Sequence, residues 1–451
     1  MFRSQAVAFL RLQRTAYATQ SLISQVQSTS TRSVPAGTSQ LSKRDRSDGA
    51  EHVETEPFAG QYHSPVTGQL WRERLVAKQH LATNREDATA SVVRTPSDTR
   101  TQLRYCFSTD SKLRDAYRNP WGFVRHGMLL EDLDALAGNI AFKHCNHPAR
   151  PLPMLVTASV DSIRMLQRVR LHHDITLSGE VEWVGRSSML IRMKVTDNTT
   201  DSQVISAGFS FVARDPTTKK AFEIIPLQPQ TDEETHAFKE AEEANAIRKV
   251  ARAEAQKAAS MGMSTDLERA RDKEIDDLLA KSRIAIDMPA LVTENLVFMS
   301  QTKLENSFIC QPQNRNLNNR IFGGFLMRRA FEIGFSTAYL FAGTRPHFIE
   351  LDKVLFQRPV DIGDLVRLQA QVTYATVEPT PLVHVEVTAV IVRPEKREAV
   401  VSNVFNFTYG VNLHLEEHNR TIKSIVAATR EEALKHLEGR DFVANNADTL
   451  G

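Results

Sequence analysis

Asn314-Arg315-Asn316-Leu317-Asn318-Asn319-Arg320-Ile321-Phe322-Gly323-Gly324 is the stretch from which the fold can be worked out. An asparagine-rich loop ends in two glycines, and an apolar run at 325–341 follows that is long enough for a buried helix. The first turn of such a helix has unpaired N–H groups, which suit an oxygen that gains negative charge. The side chain of Asn316 offers a further amide. A loop that only caps a core helix would look the same, so a second copy of the pattern is decisive.

That second copy lies earlier in the chain. A strand at 102–107 and a short helix capped by Asp110 lead to an apolar-periodic helix at 126–142. Each copy continues with four strand-like segments, which are 154–163, 175–184, 188–195 and 203–213 in the first and 348–355, 365–374, 382–392 and 399–409 in the second. A strand-like segment at 295–308 precedes the second loop. One long helix followed by strands indicates an α+β unit with an antiparallel sheet, here present twice.

Composition separates the repeats from the rest of the chain. The predicted parts are a transit peptide at 1–44, an irregular extension at 45–95, a first domain at 96–228, a charged helical linker at 229–288 and a second domain at 289–440. Residues 1–44 contain arginine but no acidic residue, which is typical of mitochondrial targeting. A short helix is expected at 71–81. The linker is rich in Glu, Lys, Ala and Arg, and we expect exposed helices there.

Charge and cysteine content exclude several classes of protein. A net charge of +2 over 451 residues gives no reason to expect nucleic acid. No apolar run reaches the roughly 18 residues that a membrane span needs. The three cysteines, Cys106, Cys145 and Cys310, form no CxxC pair, so neither a disulfide framework nor a zinc ribbon is expected. His144 and His147 flank Cys145, but no second cluster completes a metal site, and no cofactor is expected.

The two copies differ at informative places. Aligned at their helix starts, the paired residues are Asn119 with Asn316, His126 with Gly323, Gly127 with Gly324, Asp134 with Phe331, and Gly138 with Phe335. Asp134 lies on an otherwise apolar face, where burial of a charged carboxylate is costly. Phe331 removes that acid from the second copy. We therefore expect one catalytic acid per chain. The alternative is an exposed Asp134 that pairs with a lysine, and we expect Glu131 and Asp132 to include solvated residues.

At these residues the chain resembles the hotdog-fold acyl-CoA thioesterases, and among them the double-hotdog, mitochondrial acyl-CoA thioesterase 9 type. The resemblance covers most of the chain after Pro96 and is carried by 119–122, 127–138 and 321–324. It implies two tandem hotdog domains, each an antiparallel sheet wrapped round a long helix. The domains would pack as an intramolecular pseudo-dimer, with the catalytic site at their interface.

The resemblance also implies roles for single residues. Asn316 matches the family's amide residue, Gly323 the residue whose N–H meets the thioester carbonyl, and Asp134 the acid from the opposite hotdog. The glycines expected to contact substrate are Gly324, Gly127 and Gly138. In the mirror-image site, around Asn119, His126 departs from the usual glycine and Phe331 from the acid, so that site is expected to be degenerate.

The predicted function is hydrolysis of fatty acyl-CoA to free fatty acid and CoA at one composite site. Asp134 would activate water or attack the carbonyl itself. One alternative is a hotdog enoyl-CoA hydratase or dehydratase, for which His126 is the candidate base; another is an acyl-CoA-binding regulatory protein with little catalysis. By resemblance, the partners are acyl-CoA, CoA and further copies of the chain, with a trimer of double hotdogs favoured. The expected location is the mitochondrion, in the matrix.

Overall fold

A computed structural model describes residues 63–83, 93–147, 150–261, 266–288, 290, 295–412 and 422–446. The predicted transit peptide lies outside the described residues. Contacts between residues divide the chain into two compact units. Of the first unit, the structure describes residues 244–261, which are helical. The second unit contains both sequence repeats.

The repeats fold into helices and strands close to the predicted ones. The described helices are α1 (Pro65–Thr83), α2 (Pro96–Thr99), α3 (Ser111–Tyr117), α4 (His126–Cys145), α5 (Asp232–Met261), α6 (Asp266–Asp287), α7 (Gly323–Ala342) and α8 (Arg430–Asn446). The described strands are β1 (Thr101–Tyr105), β2 (Met154–Met165), β3 (Ile175–Val184), β4 (Ser188–Asp197), β5 (Ser202–Arg214), β6 (Leu296–Phe298), β7 (Leu304–Ile309), β8 (Pro346–Leu351), β9 (Val354–Leu355), β10 (Leu365–Thr376), β11 (Leu382–Arg393), β12 (Glu398–Val411) and β13 (Ser424–Val426).

One antiparallel sheet passes through both repeats in the order β1-β3-β4-β5-β2-β8-β12-β11-β10-β7. The second half reverses the order of the first, so β2 and β8 are equivalent strands and meet at the centre. There, Ile163 pairs with Leu351, and Arg164 pairs with Glu350. The first half of the sheet packs on α4, and the second half packs on α7. The predicted α+β fold, with two tandem hotdog domains as an intramolecular pseudo-dimer, is confirmed.

Local sequence explains the helix starts. The Asp110 carboxylate caps α3 by accepting a hydrogen bond from the Leu113 N–H at 2.9 Å. The long helices α4 and α7 begin at His126 and Gly323. These two residues are paired when the repeats are aligned. The main helices of both domains therefore start at equivalent points.

The sequence predicts an irregular N-terminal extension, but the structure contains helix α1 there. Helix α1 is longer than the helix expected at 71–81, and it packs against α4. Val66, Leu70 and Trp71 are buried in this contact. The polar residues at the start of the extension made this stretch look solvated. They bind acidic groups of α4, so this part of the extension belongs to the core.

The linker is helical as predicted, but part of its surface is buried on the hotdog domains. Phe238 and Ala241 near the start of α5 pack on the first domain, against Trp183 and Leu190. Ile275 of α6 packs on the C-terminal region, against Ala427, Ala433 and Leu437. The expectation of fully exposed helices is therefore wrong at these contacts, since sparse apolar residues at helical spacing suffice to dock a helix.

Two predicted strands are interrupted. The segment 295–308 consists of β6, a 3₁₀ turn at Met299–Thr302 and β7. The Gln301 side chain accepts a hydrogen bond from the Phe298 N–H at 3.2 Å, which stabilises that turn. The segment 348–355 breaks between β8 and β9 at Asp352 and Lys353, and both pieces pair with β2.

Candidate active site

Two glycines allow α4 and α7 to approach each other closely. A Cβ on Gly324 would lie 3.0 Å from the Glu131 carbonyl oxygen. A Cβ on Gly127 would lie 3.3 Å from Cγ of Arg328 and 3.4 Å from Cδ1 of Phe331. Side chains at either position would push the helices apart. The start of each helix therefore reaches the second turn of the other.

This close contact brings Asp134 of α4 to the N-terminus of α7. The position of a Cβ on Gly323 is 3.1 Å from Oδ2 of Asp134 and 3.0 Å from Cε1 of Phe356. The Asp134 side chain is buried, at 2% exposed. The absence of a side chain at Gly323 leaves room in front of the carboxylate. The structure thus places an acid of one domain beside the helix start of the other.

The environment of Asp134 balances its two protonation states. Thr157 of β2 donates a hydrogen bond to Oδ1 at 3.0 Å. Oδ2 is buried and lies beside the Gly324 amide. In the described part of the chain, no donor has both the distance and the angle of an ordinary hydrogen bond to it. Burial raises the pKa of Asp134 to about 6, while the Thr157 hydroxyl and the Gly324 amide act against that rise. Oδ1 is therefore held by a hydroxyl, whereas Oδ2 is buried without a hydrogen-bond partner among the described residues.

The Asn316 side chain is fixed by its own loop. Its Oδ1 accepts hydrogen bonds from the Asn318 N–H at 2.8 Å and the Arg320 N–H at 3.2 Å. Asn318 also donates from Nδ2 to the Leu155 carbonyl at 3.1 Å, which ties the loop to the strand that carries Thr157. Since Oδ1 is occupied, Asn316 can offer only Nδ2 to a ligand, and Nδ2 has no partner among the described residues.

The same turn is present in the first repeat. Oδ1 of Asn119 accepts hydrogen bonds from the Trp121 N–H at 3.0 Å and the Phe123 N–H at 2.9 Å. Each asparagine also donates from its backbone N–H, Asn119 to the Phe123 carbonyl and Asn316 to the Arg320 carbonyl. The two loops are therefore structurally equivalent, and the difference between the two sites lies in what faces them.

Aromatic rings occupy the mirror-image site. His126 has its ring centroid 6.2 Å from that of Phe331 and 5.9 Å from that of Phe348. Trp121 packs on Phe335, with centroids 5.8 Å apart. Burial lowers the pKa of His126 to about 4, so its imidazole is neutral at pH 7. A neutral imidazole with so low a pKa, set among aromatic rings, is a weak candidate for the base of a hydratase.

Gly138 lies one helical turn beyond Asp134 on α4. The position of its Cβ would be 3.4 Å from Nη1 of Arg74 in α1 and 3.9 Å from Cζ of Phe211 in β5. The face of α4 that carries Asp134 is thus bordered by α1 at this point. Sequence reasoning did not include Arg74 or Thr157 in the site, since neither belongs to a recognisable motif.

Asp132 and Glu131 are both fully buried, so the expectation of solvated residues is wrong. Asp132 accepts hydrogen bonds from four hydroxyls, which belong to Ser64, Thr67, Tyr105 and Tyr117. Burial raises the pKa of Asp132 to about 6, and hydrogen bonds from these hydroxyls oppose the rise. The buried acid joins α1, β1 and α3 to α4.

Glu131 links the extension to α7. Its Oε1 lies 2.6 Å from Nδ1 of His63, and its Oε2 accepts a hydrogen bond from Nη1 of Arg328 at 3.1 Å. The rings of His63 and Trp71 pack edge-on against Phe322, with centroids 5.4 and 4.9 Å from it. Phe322 immediately precedes Gly323. The extension therefore supports the start of α7, and Trp71 in a polar stretch was the one signal of this in the sequence.

The described residues form neither a metal-binding cluster nor a membrane-spanning helix. No group of three or more His, Cys, Asp or Glu side chains comes together there to hold a metal ion. In the described part of the chain, no helix combines the length and apolar character needed to span a membrane. His144, from the cysteine cluster, is buried, and its Nε2 lies 2.8 Å from the Ile225 carbonyl oxygen.

The two fused hotdog domains thus place an acid from one domain beside the helix start of the other. A family model described as Thioesterase superfamily matches residues 122–202. Acyl-coenzyme A thioesterase 4, mitochondrial, of Humulus lupulus is 45% identical over 85% of this chain and 74% of its own length. Acyl-coenzyme A thioesterase 2, chloroplastic, of the same organism is 44% identical over 86% of this chain and 90% of its own length. For acyl-coenzyme A thioesterase 9, mitochondrial, of Mus musculus the identity is 34%, over 74% of each chain.

The chain belongs to the acyl-coenzyme A thioesterases, a family of thioester hydrolases.

Proposed function

We propose that the protein hydrolyses acyl-CoA at one composite site, formed by Asp134 of the first domain and by Asn316 and Gly323 of the second. The observation that carries the proposal is the 3.1 Å distance between Oδ2 of Asp134 and the Cβ position of Gly323. It puts a carboxylate next to unpaired helix N–H groups, where a thioester carbonyl can meet both. The family of the chain supports the same chemistry.

In the proposed mechanism, Asp134 acts as general base. Its carboxylate takes a proton from water while the water oxygen bonds to the thioester carbon. The carbonyl oxygen becomes an oxyanion in the resulting tetrahedral intermediate. Its collapse breaks the C–S bond, and Asp134 returns the proton to the departing CoA sulfur. A pKa of about 6 suits both transfers, because the group is a base at neutral pH yet holds a proton readily.

Two donors would stabilise the oxyanion. The Gly323 N–H has no acceptor among the described residues, as expected in the first turn of α7. Nδ2 of Asn316 is the second donor, and its direction is fixed by the two hydrogen bonds to Oδ1. Both donors are held in place before substrate binds, which is what makes such a group effective.

Asn316→Ala should lower kcat by roughly 10²- to 10³-fold, the usual effect of removing one oxyanion donor. Asn119→Ala is the matched control, because it deletes the same side chain from an equivalent turn in the mirror-image site. Its kcat should stay close to that of the wild type. Steady-state release of free thiol measures both variants. Equal losses in the two would mean that the turns serve stability and that Asn316 has no role in catalysis.

The pH profile should show the pKa of Asp134. Since the base works as a carboxylate, kcat/KM should rise with pH, reach half its maximum near pH 6 and level off by about pH 7, with roughly tenfold less activity at pH 5 than at pH 7. Thr157→Val removes a hydrogen bond that favours the carboxylate, so it should raise the pKa and move the acid limb to higher pH. An acid limb near pH 4, unmoved by this variant, would contradict the assignment.

The proposed function has three further features, which are the location, the oligomeric state and the acyl-chain preference. We propose location in the mitochondrial matrix, supported by the composition of residues 1–44 and by the mitochondrial names of two relatives, although another is chloroplastic. A fluorescent fusion of residues 1–44 tests this directly. A trimer of double hotdogs is proposed from the family resemblance, and light scattering distinguishes it from a single chain. Comparing kcat/KM across acyl-CoA substrates of different chain lengths would measure the acyl-chain preference.

A further inference from the structure

A positively charged side chain lies beside α4, one helical turn beyond Asp134. Arg74 extends from α1, and its Nη1 atom lies 3.4 Å from the Cβ position of Gly138. Its guanidinium carbon is 5.2 Å from the centroid of the Phe142 ring. Phe211 borders the same point. Residues 134, 138 and 142 are spaced by four, so they share one face of α4. The cation therefore faces an apolar wall that continues from the catalytic acid.

Arg74 projects from the face of α1 that packs on α4, and its side chain is half-buried. Leu70 and Trp71, four and three residues before it, are each only 2% exposed. Burial lowers the pKa of Arg74 to about 10, so the side chain remains charged at neutral pH. The neighbouring thiol of Cys145 supplies no negative charge, because burial raises its pKa to about 12.

In the described part of the chain, no carboxylate pairs with Arg74 and no acceptor binds it. Other arginines around the contact between α4 and α7 are neutralised. Arg328 pairs with Glu131 at 3.1 Å, and Arg125 pairs with Glu332 at 3.2 Å. The contact with Phe142 stabilises the cation but supplies no negative charge, and the half-buried side chain of Arg74 is only partly exposed to water. The guanidinium of Arg74 is therefore available to bind an anion that the described residues do not provide.

We propose that Arg74 binds a carboxylate at the far end of the acyl group, so that the enzyme favours CoA thioesters of short dicarboxylic acids. This rests on the proposed function, because Asp134 must mark the thioester end. Gly138 is about 6 Å along the helix from Asp134, which a short acyl chain can span. The planar guanidinium matches a carboxylate with two parallel hydrogen bonds. The phosphates of CoA share this chemistry, so the experiment separates the two sources.

The experiment compares kcat/KM for succinyl-CoA and butyryl-CoA, whose acyl groups have the same length. Arg74→Met should lower the succinyl-to-butyryl ratio by roughly 10- to 100-fold, the effect of losing a charge-assisted hydrogen bond. Arg74→Lys keeps the positive charge but lacks the planar pair of donors. Its succinyl-to-butyryl ratio should therefore fall less than that of Arg74→Met. Arg72→Met is the matched control, since Arg72 is exposed on the same helix, and it should leave the ratio unchanged. Arg74→Gln replaces Arg74→Met if the latter does not fold.

Thioesters of N-acetylcysteamine, which carry no phosphate, identify the anion. A fall in the succinyl-to-butyryl ratio with these substrates supports the acyl carboxylate. If the variant instead weakens both CoA thioesters equally and leaves the phosphate-free ones unaffected, Arg74 binds a CoA phosphate and the proposal is overturned. An unchanged ratio with every substrate overturns it as well. Failure of the proposed function looks different, because wild-type protein then releases no thiol from either acyl-CoA.

Discussion

Asp134→Asn is expected to lower kcat for acyl-CoA hydrolysis by roughly a thousandfold, within the range for loss of a general base. The amide has nearly the shape of the carboxylate and can still accept the Thr157 hydrogen bond, so the fold should persist. It cannot take a proton from water. Release of free thiol from acyl-CoA substrates of several chain lengths measures the effect, and thermal unfolding reports whether the variant is folded.

Asp115→Asn makes the same chemical change outside the site. Asp115 is exposed on α3, and we expect its variant to keep wild-type kcat and KM. If Asp134→Asn retained nearly full activity on every chain length, the base would have to lie elsewhere. The composite site would then lose its central residue, although the fold and the family of the chain would stand.

Asp132→Ala should give the largest loss of stability. The change leaves four buried hydroxyls without their acceptor, and we expect unfolding to become easier by about 3 kcal/mol. The midpoint of thermal unfolding, followed by circular dichroism, should fall by several degrees. Asp115→Ala, at an exposed position, serves as control and should change the midpoint little.

The loss of stability should be large because several elements meet at the Asp132 carboxylate. Tyr105 belongs to β1, Tyr117 ends α3, and Ser64 and Thr67 belong to the N-terminal extension. Loss of Asp132 should therefore loosen the extension before the hotdog sheet. A variant that unfolds at the wild-type temperature would show that the hydroxyls find other acceptors at little cost.

The architecture could be predicted because its signals are local. Apolar periodicity marked α4 and α7, and alternation marked the strands of both halves, so each element was visible within its own segment. Aligning the repeats supplied the long-range information. It paired His126 with Gly323, and both residues begin a helix in the structure.

The buried acids could not be predicted in this way. Asp132 and its partners in the extension are more than 60 residues apart in sequence, so no window contains both. Without the partners, two adjacent acids on a helix read as solvated. The same holds for Thr157, which lies 23 residues from Asp134, and for Arg74, whose role depends on where α1 docks. Each needs a tertiary contact that composition does not reveal.

The pairing of β2 with β8 has a consequence for how the two domains can change. When a pseudo-dimer is built from one gene product with two halves, a substitution in one half is not copied into the other. One of the two sites has Phe331 and His126 at the positions where the other has Asp134 and Gly323. In a symmetric homodimer the same exchange would inactivate both centres. Covalent fusion thus permits the two composite sites to differ, so that one can be used for chemistry while the other is filled with aromatic side chains.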